Sequence, residues 1–409
     1  VTVTPSAATP GRSAAIGGVL AMLALALALR APIVAVPPVV TDLRDDLGVS
    51  ASAVALLTSI PVLLFGLVTP VSSTLLRVLG LRTSGLLCLG GVVVGSVLRS
   101  GGSFALAIVG TLLIGAAISI GNLVVPVLIG RHYPMRTSSL MGAYTSTMNV
   151  GATAATATTA ALAATHGWQL VTGAWGVLLG GIGLALWLAF APREPRIATA
   201  TGAPPPTSAV APMWRNGTAW LLAATFACQS ISFYTITTWL PTAMHESLGM
   251  DQAAAGWGAS GFHIAGILGP LLVPLFLALV KPSDAVLVAV VGAFWAALPV
   301  GMLIAPQLWG VWVLAGGLAQ GGYFAVVFLL VVRHTRTSDE NRRMAAHVQT
   351  VGYCCAATGP VVMGWVHENV PGWSSMFAIV SGIMAVMILT GVAAARRPRP
   401  TLTVTEEPR

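Results

Sequence analysis

Arg30 stands inside a long apolar run, LAMLALALALRAPIVAVPPVV, with about sixteen run residues before it and ten after. At about 1.5 Å per helical residue, the nearer end of the run is roughly 15 Å away. A guanidinium is always charged and offers paired donors, the geometry that holds a carboxylate, a cyanate or a nitro group. At such depth it reads as an anion-binding group facing a water-filled cavity. The competing reading ends the run early, at Pro32, Pro37 and Pro38, and puts Arg30 among the headgroups by snorkelling. His263 lies at similar depth in a later run, between Gly261 and Gly266. It could bond a substrate or take a proton, or simply be a neutral histidine bonded to a neighbouring helix.

Uncharged polar residues form stripes around these two. Thr145, Asn149, Thr153 and Thr156 recur at helical spacing, with Tyr144 beside them. Gln349 and Tyr353 are four apart and share a face. Gln320 and Tyr323 are three apart; Asn122 shares a face with Pro126, and Gln229 with Ser232, with Tyr234 at the edge. Thr, Asn and Gln inside apolar helices also bond one helix to the next. That role suits the threonines; for Asn149, Gln229, Gln320, Gln349 and the tyrosines, substrate contact stands equally.

What must position these residues follows from composition. Of 409 residues, 56% are hydrophobic and 8% charged. A soluble domain carries roughly 25% charged residues. This excludes a water-soluble enzyme, a nucleic-acid-binding protein and a disordered chain, and leaves a polytopic helical membrane protein. Continuous apolar runs exclude the alternation of a transmembrane barrel.

Twelve runs are long enough to span: 14–40, 51–76, 81–99, 103–130, 138–164, 168–191, 217–241, 252–280, 284–305, 308–332, 343–366 and 373–395. The first is too long for a signal-peptide core. The Pro-, Ala- and Thr-rich stretch 192–216 reads as a flexible linker. It divides an N-terminal six-helix half, 1–191, from a C-terminal half, 217–396, with a tail at 397–409. With the N-terminus placed in the cytoplasm, all but Arg30, Arg44 and Arg99 of the twenty basic residues fall in cytoplasmic segments. The positive-inside rule then puts both termini in the cytoplasm, so the net charge of +8 is a signal of topology.

The halves repeat. RHYPMRTSS from Arg131 returns as RHTRTSD from Arg333; Gly151 returns as Gly352, and Gly167-Trp168 as Gly372-Trp373. The offsets are 202, 201 and 205 residues. Parallel six-helix repeats are the arrangement of major facilitator transporters.

Three stretches resemble the cyanate-porter branch of the major facilitator superfamily, which holds the cyanate transporter and nitroimidazole-exporter-like proteins. They are LALRAPIVAVPPVVTDLRDDLGVS at 27–50, GNLVVPVLIGRHYPMRTSSLMGAYTSTMNVGATAA at 121–155 and RRMAAHVQTVGYCCAATGPVVMG at 342–364. The resemblance implies an all-α fold of twelve transmembrane helices, with spans 1, 4, 5, 7, 8, 10 and 11 lining a central cavity. Two departures stand out. The gating loop after span two usually reads Gly-x-x-x-Asp-Arg-x-Gly-Arg; here Arg77 stands about where the acid belongs, while Gly80 and Arg82 match. In span one the usual Asn-x-Arg-Pro is Ala28-Leu29-Arg30-Ala31-Pro32.

All twelve acids fall in loops, at span ends or in the tail. A carboxylate-relay symporter and a polycation exporter both need a membrane acid, so both are disfavoured. No GxxxxGK[ST] loop exists for ATP, no metal or cofactor is implied, and the four cysteines read as buried thiols. The Gly-Pro pair of drug antiporters is missing from MNVGATAAT. A membrane enzyme or sensor would need nucleophiles or ligands clustered at one depth, and none cluster. The expectation is therefore a monomeric secondary transporter in the cytoplasmic membrane, moving a small anion or polar organic solute of cyanate type by alternating access. Coupling to protons and the direction of transport stay open. Export of nitroaromatic or drug-like compounds is the alternative.

Overall fold

The computed structural model describes residues 12–192 and 213–398. Most of the linker at 192–216 and of the tail at 397–409 thus lies outside the described residues. The chain is helical throughout its spans. The first half holds α1 (Arg12–Val34), α2 (Val40–Leu47), α3 (Ala51–Leu67), α4 (Thr69–Arg99), α5 (Phe104–His132), α6 (Thr137–His166) and α7 (Trp168–Phe190). The second holds α8 (Gly217–Leu248), α9 (Gln252–Val280), α10 (Asp284–Ile304), α11 (Trp309–Arg333), α12 (Ser338–Ala356), α13 (Thr358–Asn369) and α14 (Ser374–Ala395).

These fourteen helices make twelve spans. α1 and α2 together form span one, broken at Pro37–Val39. α3 continues into α4, and α4 turns back as span three at Gly80, whose φ of 78° suits a residue without a Cβ. α12 and α13 form span eleven, broken at Ala357. Among the described residues, nine helical stretches are long and apolar enough to cross a membrane by length and composition. The other three spans are α3 with the start of α4, α6, and α12 with α13. They are short, broken or polar because they face the opposite half: α3 packs on α12 and α13, and α6 on α9.

Loop residues fix where helices start. Ser50, Ser103, Asn216, Asp251, Ser283 and Thr337 each accept a hydrogen bond from a backbone N–H of the turn that follows. Gly48 and Gly249 end α2 and α8 in the left-handed conformation. Span seven runs past the expected residue 241 to Leu248, through Pro241.

The repeat is visible in side-chain bonds. The Trp168 indole Nε1 donates to Asp46 at 2.9 Å, and the Trp373 Nε1 donates to Glu246 at 2.9 Å. Each clasp ties the first span of a half to its last, and each tryptophan follows a glycine at φ near 80°. These acids mark one end of the bundle, here the acidic end. Arg77, Arg82, Arg131, Lys281 and Arg333 lie at the other, the basic end.

Packing inside each half depends on absent side chains. A Cβ on Gly269 would lie 2.1 Å from the Leu318 carbonyl oxygen and 2.7 Å from the Gly322 nitrogen. α9 and α11 therefore meet backbone to backbone. Gly269→Val forces them apart, and overpacking of this kind costs about 3 kcal/mol. The expected result is a marked fall in the unfolding temperature of the purified protein, read by thermal denaturation in detergent. A wild-type melting curve would contradict this packing.

Candidate functional site

Arg30 is half-buried on α1. Its guanidinium carbon lies 4.8 Å from the centroid of the Phe233 ring on α8. A cation over an aromatic face is attracted by the ring quadrupole. The contact also joins the two halves. Four further groups feel the charge of Arg30: Tyr144 on α6, Tyr234 on α8, His263 on α9 and Tyr353 on α12. Groups from spans five, seven, eight and eleven thus lie near this one arginine of span one. Among the described residues no carboxylate pairs with it.

The Tyr144 hydroxyl donates to Asn122 Oδ1 at 3.3 Å, which brings span four to the same group. His263 is buried, and its Nδ1 has no hydrogen-bond partner. The Phe262 ring lies 5.5 Å away, edge on, and itself stacks on Phe233 and Trp295. Tyr353 packs edge to face on Phe65 at 5.9 Å and on Phe226 at 5.3 Å. The site is therefore one cation, several hydroxyl and amide groups, and a wall of rings.

The remaining candidates are less central. Gln229 is buried and accepts from the neighbouring Ser230 hydroxyl at 3.1 Å. Gln320 is buried, with its amide nitrogen against Gly266. Asn149 and Gln349 are half-buried. Tyr323 is not brought to this group. It is fully buried and donates to the Met387 carbonyl of α14 at 3.3 Å, lying against Gly292 and Gly391. Its three-residue spacing from Gln320 placed it on the cavity face, yet it joins spans nine, ten and twelve. Of the striped threonines, Thr145 donates back to the Met141 and Gly142 carbonyls of its own helix, while the buried Thr153 and Thr156 hydroxyls have no hydrogen-bond partner among the described residues.

In the loop after span two, Arg77 is exposed. Arg82 donates to the Leu188 carbonyl at 2.7 Å, and the Trp187 indole donates to the Arg82 carbonyl at 2.9 Å. The loop is thus docked on the end of α7 by backbone carbonyls. An acid does occur at the matching place of the second half: Asp284, buried at the start of α10, pairs with Arg333.

Two features escaped the sequence. Phe233 is one more aromatic in an apolar helix, and nothing in its type marks it as the partner of Arg30. Arg99, expected in an outer loop, is buried at the end of span three. It donates to the Pro32 carbonyl at 2.6 Å and to the Thr172 carbonyl at 3.2 Å. Among the described residues no three His, Cys, Asp or Glu side chains come together as metal ligands.

The halves touch over the acidic end and down to the middle. Gln252 donates to the Pro38 carbonyl at 3.0 Å and to Asp42 at 3.2 Å. Glu368 accepts from the Ser52 backbone N–H at 2.9 Å. Thr238 donates to Thr58 at 3.1 Å, and Gly66 lies against Cys354 and Thr350. One apolar cluster crosses this closure, from Val36, Val39 and Leu43 to Phe233, Trp239 and Met244. Arg30 lies just beneath it.

The family model of the Major Facilitator Superfamily matches residues 14–316. An uncharacterized transporter of Bacillus subtilis (strain 168), YycB, is 28% identical over 376 residues, covering 91% of this chain and 92% of the relative. The 2-nitroimidazole transporter of Escherichia coli (strain K12) is 29% identical over 378 residues, covering 92% and 94%. The cyanate transport protein CynX of the same organism is 27% identical over 386 residues, covering 90% and 96%. The crystal structure of the nucleoside transporter NupG superposes with a TM-score of 0.74 at 13% identity, over 92% of this chain and 99% of that one. Twelve spans in two repeated halves and a family match over most of the length agree: the chain is a multi-pass membrane transporter of small solutes and belongs to the major facilitator superfamily.

Proposed function

We propose that this transporter carries a small flat anion, of cyanate or aromatic carboxylate size, bound at Arg30 between the two halves. One observation carries the reading: a guanidinium over the Phe233 ring, without a carboxylate partner among the described residues. Even a half-buried cation without a counter-ion is costly, and an anionic substrate supplies the missing charge. Tyr353 and Phe65 offer aromatic surface for a planar ligand beside the Arg30–Phe233 pair. Asn122, Tyr144, Tyr234 and His263 offer polar contacts, with Asn149, Gln229, Gln320 and Gln349 at the margin. Two relatives are named for cyanate, a small linear ion, and 2-nitroimidazole, a small planar ring, and both solutes fit this size.

The protein works by alternating access between halves 1–191 and 217–396, joined by the linker 192–216. It lies in the cytoplasmic membrane as a monomer, with the basic end, both termini and the tail 397–409 in the cytoplasm. The acidic end is then the outer gate, closed here. Arg77, Gly80 and Arg82 serve the gating loop. The acids of spans one, seven and nine stand at span ends and none at mid-membrane among the described residues, so coupling runs through His263, through the substrate's own protonation, or is absent.

Uptake by proteoliposomes of cyanate, thiocyanate and benzoate, with and without a pH gradient, tests this. The expected result is saturable uptake of at least one, lost in Arg30→Ala. If no anion moves, the reading fails. The ring wall favours a second reading, export of nitroaromatic compounds. Its mark is transport of 2-nitroimidazole that survives Arg30→Ala.

A further inference from the structure

Arg99 is a buried cation that the binding reading does not use. Its surroundings explain it through one chain of missing donors. Pro37 has no N–H, so the Ile33 carbonyl lacks its usual helical partner. The Val36 N–H turns to that carbonyl instead, at 3.4 Å. Val36 is the residue that would otherwise bond the Pro32 carbonyl, four residues back. The Pro32 carbonyl is therefore left over, although its neighbour Ala31 still accepts from Ala35 at 3.0 Å. Arg99 Nη1 fills the vacancy at 2.6 Å, while Nη2 holds the Thr172 carbonyl of α7 at 3.2 Å. A charged donor on a buried carbonyl makes a stronger bond than an amide does.

We infer that Arg99 is a positioning residue: it stands in for the helical donor that Pro37 removes, pins the broken end of span one to spans three and six, and so holds Arg30 over Phe233. Arg30 lies two residues before Pro32, which is about 200° around the helix. Arg99 thus grips the scaffold side of the break, while Arg30 presents its charge on the other side. The inference rests on Arg30 as the cavity group, but its test needs no substrate.

Two readouts are taken on folded, monodisperse protein. The first is amide hydrogen exchange over residues 33–36. The second is the labelling rate, by a membrane-impermeant methanethiosulfonate reagent, of the thiol from Arg30→Cys in a chain whose four native cysteines are replaced by serine. Loss of one bond from a charged donor is expected to speed exchange at 33–36 about tenfold in Arg99→Met. The labelling rate is expected to shift by a similar factor. Arg99→Lys, which keeps one donor, falls between Arg99→Met and wild type. The decisive variant adds Pro37→Ala. It returns an N–H at position 37, frees Val36 for the Pro32 carbonyl, and makes Arg99 dispensable. Both readouts should then return towards wild type.

If Arg99→Met leaves exchange at 33–36 unchanged, or if Pro37→Ala brings no recovery, the inference is wrong. Should Arg99→Met fail to fold, Arg99→Lys with and without Pro37→Ala is read the same way. A position 30 that never labels, with exchange still coupled to Pro37, overturns the binding reading and keeps the role of Arg99 at the helix break.

Discussion

Arg30→Ala is expected to abolish saturable anion uptake while leaving the protein folded. Charge-assisted bonds from a desolvated guanidinium are worth about 3 kcal/mol, which is roughly a 100-fold loss of affinity. Folding should survive, because Arg30 makes no ion pair among the described residues and lies over the Phe233 face. Removing it relieves a charge held without a partner, so an unchanged or slightly raised unfolding temperature is expected alongside lost transport. Arg30→Lys keeps the charge but loses the fork, and should retain weak transport with a raised KM. Uptake in proteoliposomes and a melting curve together decide the matter. Full transport by the alanine variant would place the substrate elsewhere.

The second large effect concerns motion. Thr58 on α3 and Thr238 on α8 belong to opposite halves, are both buried, and are hydrogen-bonded at 3.1 Å. Hydroxyls this close bring the two Cβ atoms near the separation a disulfide bridges. Alternating access requires this pair to part when the acidic end opens. Thr58→Cys with Thr238→Cys is therefore expected to lose transport on oxidation and to recover it with a reductant. The single variants and the wild type, which carries four free cysteines of its own, should keep transport under oxidation. Transport by the crosslinked protein would mean that the acidic end stays shut throughout the cycle.

Much of the frame is legible in the chain. Apolar runs locate spans because hydrocarbon tolerates only backbone bonded within itself, and the Gly-Trp pairs at 167 and 372 marked true equivalents, down to the acid each indole bonds. Arg30 stands out in the sequence because an arginine in an apolar run has few explanations. Tyr323 was misplaced because spacing on a helix gives a face but not the neighbour that face meets. Arg99 was invisible because a basic residue at a span end looks like any loop charge. Its partner is a carbonyl set free by a proline 62 positions earlier, a relation that exists only in three dimensions. Phe233 escaped for the opposite reason, as an ordinary apolar residue whose value lies in the face it turns to a cation.

The duplicated halves differ in the first span of each. Span one is interrupted between Val34 and Val40, whereas its counterpart α8 runs unbroken from Gly217 to Leu248. An interrupted helix is compliant at the break, and a continuous one behaves as a strut. Next to Arg30 the break allows local adjustment to a bound ligand, while α8 across the interface moves as one piece. Gene duplication supplied two copies of one frame, and a pair of prolines made one of them the hinge and the other the lever.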